Sequence, residues 1–232
     1  MTHKLRNIIL PGWAIGTEHY PALSGHPSEI YDFGFFSEKS SGLPPVFDSE
    51  IKKTCGSPCI MTAHSLGSIL ALGKIHGLHN VKALLVYSGF AKFAKSADNL
   101  SGQPVEMIQS MKKQLGNNPA GLLKSFYRNM SFPSQYEFKV PETVHVPALD
   151  AGLDILLDCD CRSKLAEIKI PVLIIHGGQD RIVNVRIAEE LAGNIGFSRL
   201  HVFKNAGHAV PFTHSNESRK ITEKFLTDYD IH

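Results

Sequence analysis

The chain has few cysteines and tryptophans, no long apolar run and little net charge. Of its 232 residues, 4 are cysteine and 1 is tryptophan. No run of about 18 apolar residues occurs, so we expect no membrane span. The formal net charge of +2 argues against a nucleic-acid-binding protein that depends on phosphate contacts, and no zinc-finger or other recognition motif is present. With 43% hydrophobic and 20% charged residues, the composition predicts a globular chain with one core.

The cysteines do not form a recognisable ligand or redox motif. Cys55, Cys59, Cys159 and Cys161 have spacings that match neither a zinc knuckle nor a thioredoxin-type C-x-x-C. The first residues lead directly into a predicted strand, without the apolar region and cleavage site of a signal peptide. We therefore expect a cytoplasmic location, free thiols and no metal site.

Short apolar runs alternate with helical patterns at both ends of the chain. The predicted strands are 4–10, 29–35, 57–63, 81–87, a strand that begins near residue 171, and 199–203. The predicted helices between and after them are 46–55, 66–77, 185–194 and 217–229. Such alternation indicates right-handed crossovers and a parallel sheet with helices on both faces.

The alternation stops between about residue 90 and residue 168, where the pattern is helical. Helices are predicted at 104–115, 119–130 and 148–158. A helical insert between two halves of a parallel sheet resembles a cap over an active site. We therefore predict an α/β fold with a mostly parallel six-stranded sheet, a core formed by 1–89 and 169–232, and a helical cap formed by 90–168.

One turn, Ala63-His64-Ser65-Leu66-Gly67, joins a predicted strand to a predicted helix. This is the context in which the serine of a G-x-S-x-G-type motif becomes a nucleophile, although Ala63 replaces the first glycine. Small residues on both sides of the serine let the start of the helix pack closely on the neighbouring strands. Ser65 is the predicted nucleophile.

Two later residues supply the partners that such a serine needs. Asp180 and His208 each follow the end of a predicted strand, so both should lie at the edge of the sheet that carries Ser65. In the order Ser, Asp, His, the histidine would take the serine proton and the aspartate would orient the imidazole. The other histidines are weaker candidates. His176 and His201 lie inside predicted strands, and the side chain of His64 should point away from Ser65 and form part of the pocket wall.

The carbonyl oxygen of the substrate also needs stabilisation. In this arrangement two backbone N–H groups supply it, one from the residue after the nucleophile and one from the loop after the first strand. Those residues are Leu66 and Trp13.

Four motifs together make the chain resemble the α/β-hydrolase superfamily over nearly its whole length. They are Pro11-Gly12-Trp13, Ser65-Leu66-Gly67, Gly177-Gly178-Gln179-Asp180 and Ala206-Gly207-His208. More narrowly, the chain is similar to the pimeloyl-[acyl-carrier protein] methyl ester esterases of biotin synthesis. That similarity rests on Gly12-Trp13, Gly152-Leu153-Asp154-Ile155-Leu156, Asp160-Cys161-Arg162 and Ser125-Phe126.

The narrower resemblance implies that Phe126 lies over the nucleophile and that basic cap residues bind the carrier protein. This chain departs from that family in the turn that carries Ser65, where Ala63-His64 stands in place of the usual Gly-Trp. Residues 90–140 contain seven bases and three acids, a surplus of positive charge that would steer an acidic carrier protein, or that is simply a solvated face. The candidate carrier contacts are Lys112, Lys113, Lys124 and Arg128.

The expected function is therefore that of a serine carboxylesterase that removes the methyl ester of a carrier-bound dicarboxylic acyl chain through an acyl-enzyme, without a cofactor and as a monomer. Two alternatives stay open: a general short-chain esterase or thioesterase, and an inactive fold of this class used as a binding protein. Dehalogenases and epoxide hydrolases of this kind usually have an aspartate nucleophile where this chain has Ser65, so those activities are excluded.

Overall fold

A computed structural model describes residues 5–37 and 42–232, and these residues contain six strands and eight α-helices. The strands are β1 (Arg6–Leu10), β2 (Ser28–Ile30), β3 (Cys59–His64), β4 (Val81–Tyr87), β5 (Val172–Gly177) and β6 (Ser198–Phe203). The helices are α1 (Val46–Thr54), α2 (Leu66–Lys74), α3 (Val105–Asn117), α4 (Pro119–Ser131), α5 (Val146–Asp158), α6 (Val185–Asn194), α7 (Val210–Thr213) and α8 (Ser215–Asp228).

The strands form one sheet in the order β2-β1-β3-β4-β5-β6. Every neighbouring pair is parallel, which confirms the predicted α/β class and strand number. All residues of β3 and β5 are buried. Their side chains alternate between the two faces of the sheet, so both faces are covered by other elements, which explains why these strands read as continuous apolar runs.

Strand β2 is shorter than the sequence pattern indicates. It ends at Ile30, whereas a strand was predicted over 29–35. The Asp32 carboxylate accepts a hydrogen bond of 2.7 Å from the backbone N–H of Gly34, and Gly34 has a φ of 77°, so the chain turns there instead of continuing the ladder. Phe33 and Phe35 are buried because the apolar residues that suggested a strand pack into the core from a loop.

Helices α3, α4 and α5 occupy the chain between β4 and β5, as the sequence predicts. The Asn118 side chain accepts a hydrogen bond from the N–H of Gly121 and caps α4, and Pro119 follows in the first turn, where its missing N–H has no cost. Short helix α7 was not predicted. Residue 4 of the predicted first strand and residues 1–3 and 38–41 of the predicted core lie outside the described residues.

The four cysteines are free thiols, as predicted, and all except the half-buried Cys159 are buried. Within the described part of the chain, no helix has the length and apolarity that crossing a membrane would require.

Candidate active site

Ser65 lies in a sharp turn between β3 and α2. Its backbone has a φ of 51° and a ψ of −116°, a conformation that costs free energy for any residue with a side chain. The turn is held by a hydrogen bond of 3.0 Å from the N–H of Ser65 to the carbonyl of Tyr87. A Cβ at Gly67 would lie 2.3 Å from the carbonyl oxygen of Leu10, so only glycine fits there. These features place the Ser65 side chain at the carboxyl edge of the sheet.

The structure brings Ser65, His208 and Asp180 into one hydrogen-bonded chain. Nε2 of His208 lies 2.9 Å from Oγ of Ser65, and Nδ1 of His208 lies 2.8 Å from Oδ2 of Asp180. Asp180 follows β5 and His208 follows β6, so parallel strands deliver all three residues to the same edge of the sheet. His208 is fully buried, and 6% of Ser65 is exposed.

The Asp180 carboxylate accepts hydrogen bonds from three donors and lies near a second histidine ring. Oδ1 accepts from the N–H groups of Ile182 at 2.7 Å and Val183 at 2.8 Å, and Oδ2 faces the rings of His208 and His176. Burial opposes ionisation, but the neighbouring His208 ring and these hydrogen bonds outweigh it and hold the pKa of Asp180 below its ordinary value. An ionised Asp180 fixes the proton of His208 on Nδ1, which leaves Nε2 free to accept the Ser65 proton.

His176 is the partner of Asp180 that the sequence analysis did not assign. It is a buried core residue, as predicted, with Nε2 2.9 Å from the carbonyl of Val183. The same nitrogen lies 3.4 Å from Oδ2 of Asp180, and burial lowers the pKa of the ring. The signal in the sequence was its position four residues before Asp180. His201 is half-buried on β6 against Phe203.

The two predicted oxyanion donors are available. Among residues 5–37 and 42–232, neither the backbone N–H of Trp13 nor that of Leu66 donates to a protein acceptor. Ala14 has a φ of 57°, so the loop after β1 is held in a strained conformation next to Trp13. Paired free N–H groups beside a serine can stabilise a negatively charged oxygen.

A cavity of about 310 Å³ opens beside Ser65. It is lined by Trp13, Ser65, Phe93, Met107, Ser110, Met111, Gln114, Leu122, Ser125, Phe126, Asn129, Leu156 and Ile182. Phe126 meets Trp13 edge to face with ring centroids 4.9 Å apart. None of these lining residues carries an ionisable side chain, so the cavity favours a neutral, apolar group.

His64 does not form part of the cavity wall, which corrects the prediction from the sequence. Its side chain is completely buried, with Nδ1 2.9 Å from the hydroxyl of Tyr20 and Nε2 3.3 Å from the carbonyl of His208. The residue ends β3, and its ring packs in the core against Tyr20 and Phe212. The substrate cavity lies elsewhere.

The four basic residues predicted to contact a carrier protein differ in their surroundings. Lys112 is half-buried and bridges Asp150 and Asp154. Lys113, Lys124 and Arg128 are exposed, and no acidic side chain in the described ranges pairs with them. The last two lie four residues apart on α4, so they share one face of that helix.

Comparison with known proteins places the chain in a family. The family model described as serine aminopeptidase, S33, matches residues 43–214. The pimeloyl-[acyl-carrier protein] methyl ester esterase of Aromatoleum aromaticum is 24% identical over 93% of this chain and 96% of its own length. The protein of the same name from Pseudoalteromonas atlantica is 24% identical over 95% of this chain and 91% of its own length.

Solved structures share the fold. A bromoperoxidase from Bacillus anthracis superposes with a TM-score of 0.85 at 18% identity, covering 97% of this chain and 92% of that chain. An esterase from Exiguobacterium antarcticum gives a TM-score of 0.75 at 19% identity, over 97% of this chain and 92% of its own. The family match spans most of the chain, including Ser65, Asp180 and His208. The chain therefore belongs to the α/β-hydrolase family, within the group described as serine aminopeptidase, S33, and is a hydrolase.

Proposed function

We propose that this protein is a serine carboxylesterase that works through an acyl-enzyme on Ser65. The observation that carries the proposal is the hydrogen-bonded chain from Ser65 Oγ through His208 to Asp180, at the wall of an apolar cavity. A serine, a base and an orienting carboxylate in this geometry are the parts that acyl transfer needs.

In the proposed reaction, Oγ of Ser65 attacks the ester carbonyl carbon while Nε2 of His208 takes the hydroxyl proton. The N–H groups of Leu66 and Trp13 stabilise the negative oxygen of the tetrahedral intermediate. The carbon–oxygen bond to the alcohol then breaks, and His208 returns its proton to the leaving oxygen. In the second half, His208 takes a proton from water while the water oxygen attacks the acyl carbon. The bond between that carbon and Oγ of Ser65 then breaks, His208 returns the proton to Oγ, and the acid product leaves as its carboxylate.

We infer that residues 90–168, with helices α3, α4 and α5, act as a cap over this site. Trp13 Nε1 donates to the carbonyl of Leu149 at 2.8 Å, and the Tyr127 hydroxyl donates to the carbonyl of Ala14 at 2.8 Å. These bonds tie α5 and α4 to the loop that carries a proposed oxyanion donor. Side chains of α3 and α4, among them Met111 and Phe126, line the cavity, so the cap sets which acyl group fits.

The substrate that we propose is the methyl ester of a pimeloyl chain on acyl-carrier protein. Two relatives that match nearly full length bear that name. A cavity without ionisable lining groups accommodates a neutral methyl ester and methylene chain but leaves a free carboxylate unpaired, which is costly. The exposed bases Lys113, Lys124 and Arg128 would attract an acidic carrier.

A general short-chain carboxylesterase or thioesterase is the second candidate. The cavity of about 310 Å³ is near the small end of the range for ligand pockets, roughly 300 to 1,000 Å³, which suits small esters as well. An inactive binding protein is disfavoured because Ser65, His208 and Asp180 are all present and in contact. Covalent labelling by a fluorophosphonate probe separates an active serine from an inactive fold.

The deciding experiment compares turnover of methyl pimeloyl-carrier protein, free methyl pimelate and p-nitrophenyl acetate by the wild type and by Ser65→Ala. We expect kcat/KM to be highest for the carrier-bound ester and Ser65→Ala to lose activity on all three. Full activity of Ser65→Ala would overturn the acyl-enzyme mechanism. Equal kcat/KM for the carrier-bound and free methyl esters would favour the general esterase.

A further inference from the structure

The geometry points to His64 and Tyr20 as positioning residues, which couple the loop after β1 to the backbone of His208 through one buried line of hydrogen bonds. The inference rests on the proposed function, since it assigns these residues to the placement of the proposed oxyanion donor and base. Neither residue lines the cavity, so both would act through other groups.

The line begins at the loop that carries Trp13. The backbone N–H of Gly12 donates to the hydroxyl of Tyr20 at 2.8 Å. That hydroxyl lies 2.9 Å from Nδ1 of His64, and Nε2 of His64 lies 3.3 Å from the carbonyl oxygen of His208. Tyr20 and His64 therefore join the residue before Trp13 to the backbone of the base.

Only one arrangement of protons satisfies every contact in this line. The carbonyl oxygen of His208 can only accept, so a neutral His64 ring carries its proton on Nε2 and the Tyr20 hydroxyl donates to Nδ1. A neutral imidazole that accepts at Nδ1 carries its proton on Nε2, which then donates to the His208 carbonyl. The opposite tautomer would place a lone pair against that carbonyl oxygen. The contacts thus fix both the tautomer and the orientation of the His64 ring.

The carbonyl of His208 receives a second donor from the neighbouring strand. The hydroxyl of Ser88, just after β4, donates to the same oxygen at 3.0 Å, and Ser88 has a φ of 46°. Both lone pairs of the carbonyl are therefore used. Because Asp180 already fixes the ring of His208 from Nδ1, the two donors complete the placement of this residue by fixing its backbone.

Packing leaves the His64 ring little freedom. A Cβ at Gly12 would lie 3.0 Å from Nδ1 of His64, so glycine lets the loop approach the ring closely. Phe212 packs edge to face against both His64 and Tyr20, at centroid distances of 5.6 Å and 5.1 Å. A change at either ring is therefore transmitted to the loop and to His208.

The ring also has to stay neutral to play this part. Its centroid lies 5.3 Å from that of His208, so a positive charge on His64 would oppose the protonated His208 that forms during the reaction. Burial, and next the proximity of His208, lower the pKa of His64 to about 3. His64 therefore acts as a fixed hydrogen-bond bridge and not as a second base.

The test measures kcat and KM on p-nitrophenyl acetate for Tyr20→Phe, His64→Leu and His64→Gln. We expect Tyr20→Phe and His64→Leu to lower kcat by about tenfold or more, as small displacements of catalytic groups do. KM should stay within about twofold because neither side chain lines the cavity. His64→Gln keeps an acceptor and a donor, so it should restore kcat to within about threefold of the wild type.

Tyr31→Phe is the matched control. It also removes one hydroxyl, which donates to Glu50 at 2.8 Å, at a half-exposed position away from the site. We expect its kcat to equal that of the wild type. The double variant Tyr20→Phe/His64→Leu should be no slower than the slower single variant, because both changes break the same line.

Several outcomes would overturn the inference. They are wild-type kcat in Tyr20→Phe, equal kcat in His64→Leu and His64→Gln, and full additivity in the double variant. If His64→Leu does not fold, Tyr20→Phe still carries the test, because it deletes one oxygen atom. A parallel Ser65→Ala measurement separates the two proposals. Activity in Ser65→Ala would reject the proposed function, whereas its loss together with an unaffected Tyr20→Phe would reject only the positioning role.

Discussion

Nε1 of Trp13 donates a hydrogen bond of 2.8 Å to the carbonyl of Leu149 and thereby joins the loop after β1 to helix α5. The contact depends on a glycine one turn further along that helix, because a Cβ at Gly152 would lie 2.7 Å from Cδ1 of the Trp13 ring. The ring is 2% exposed and forms part of the cavity wall, so an added Cβ would push it from its place. The backbone N–H of the same residue is a proposed oxyanion donor, so the position of this donor depends on α5.

Gly152→Ala should therefore displace Trp13 and lower kcat by about tenfold, since small shifts of catalytic groups are costly. Gly193→Ala is a matched control in helix α6, where an added Cβ meets nothing within 4 Å. We expect it to leave kcat unchanged and to stabilise the fold by about 0.5 to 1 kcal/mol, as alanine does in helices. Steady-state kinetics and denaturant unfolding of both variants check this, and equal kcat values would contradict it.

Asp180→Asn should lower kcat by about four orders of magnitude, because an amide no longer holds His208 in the tautomer that accepts the Ser65 proton. The backbone donors of Ile182 and Val183 still find the remaining oxygen, so we expect the protein to fold. Asp158→Asn changes an exposed acid at the end of α5 and should keep wild-type kcat. The measurement is turnover of p-nitrophenyl acetate, and a loss below about tenfold would argue against the proposed triad.

The cap bases should contribute unequally to carrier binding. Reversing Lys124 and Arg128 to Glu should lower kcat/KM for carrier-bound substrate by about tenfold at low salt, and the loss should shrink at high salt. The small ester should be hydrolysed as before. Lys112→Ala should lower the free energy of unfolding more than carrier binding, because it leaves Asp150 and Asp154 without their shared partner.

The control for this experiment reverses Lys53 and Lys220, two exposed lysines on α1 and α8, and so makes the same change in net charge. We expect kcat/KM for the carrier-bound ester to stay near the wild-type value. An equal loss in both double variants would show that overall charge, and not a surface on α4, determines the effect.

Stability should fall as the pH decreases from 6.5 towards 3, the interval between the ordinary pKa of a histidine and that of the folded His64 ring. In that interval the unfolded chain binds a proton at His64 that the folded chain does not, so the free energy of unfolding rises with pH. Each such group contributes a slope of at most about 1.4 kcal/mol per pH unit. Burial also lowers the pKa of His176, which acts in the same direction. The lowered pKa of Asp180 adds a loss of stability below its ordinary value of 3.8.

Urea unfolding of the wild type and of His64→Gln between about pH 4 and about pH 6 measures how much His64 contributes to the pH dependence of the free energy of unfolding. The slope of stability against pH should be smaller in the variant by up to about 1.4 kcal/mol per pH unit. His79→Gln, at an exposed position, is measured alongside as the matched control for a histidine-to-glutamine change. If His64→Gln kept the wild-type slope, His64 would not be held neutral by the fold.

Much of the fold could be predicted because local pattern and tertiary environment agree. Strand β4 and helix α6 occupy the predicted residues, since a strand covered on both faces and an amphipathic helix have distinct periodicities. The predicted strand extends beyond Ile30, the observed end of β2, because Phe33 and Phe35 satisfy the same apolar pattern from a loop. Burial of an aromatic side chain does not require a strand, so the pattern alone could not find this end.

The candidate site was likewise predictable from the sequence only in part. Parallel strands deliver their carboxyl ends to one edge, so the positions of Ser65, Asp180 and His208 along the chain were enough to predict that these side chains would meet. The buried place of His64 and the ion pairs of Lys112 depend on residues far apart in sequence. The contact of His176 with Asp180 was missed although only four residues separate the two. Tyr20 was overlooked because nothing adjacent to it marks a function.

The sequence by itself determined the class of fold and the order in which Ser65, Asp180 and His208 follow the ends of their strands, because these follow from periodicity and spacing. Only the tertiary structure decided that His64 is a buried bridge between Tyr20 and His208 and does not line the cavity. It also decided that α5 holds Trp13 in place. Both outcomes depend on hydrogen-bond partners that the folded packing supplies, and a linear pattern does not record which distant groups a buried polar atom will find.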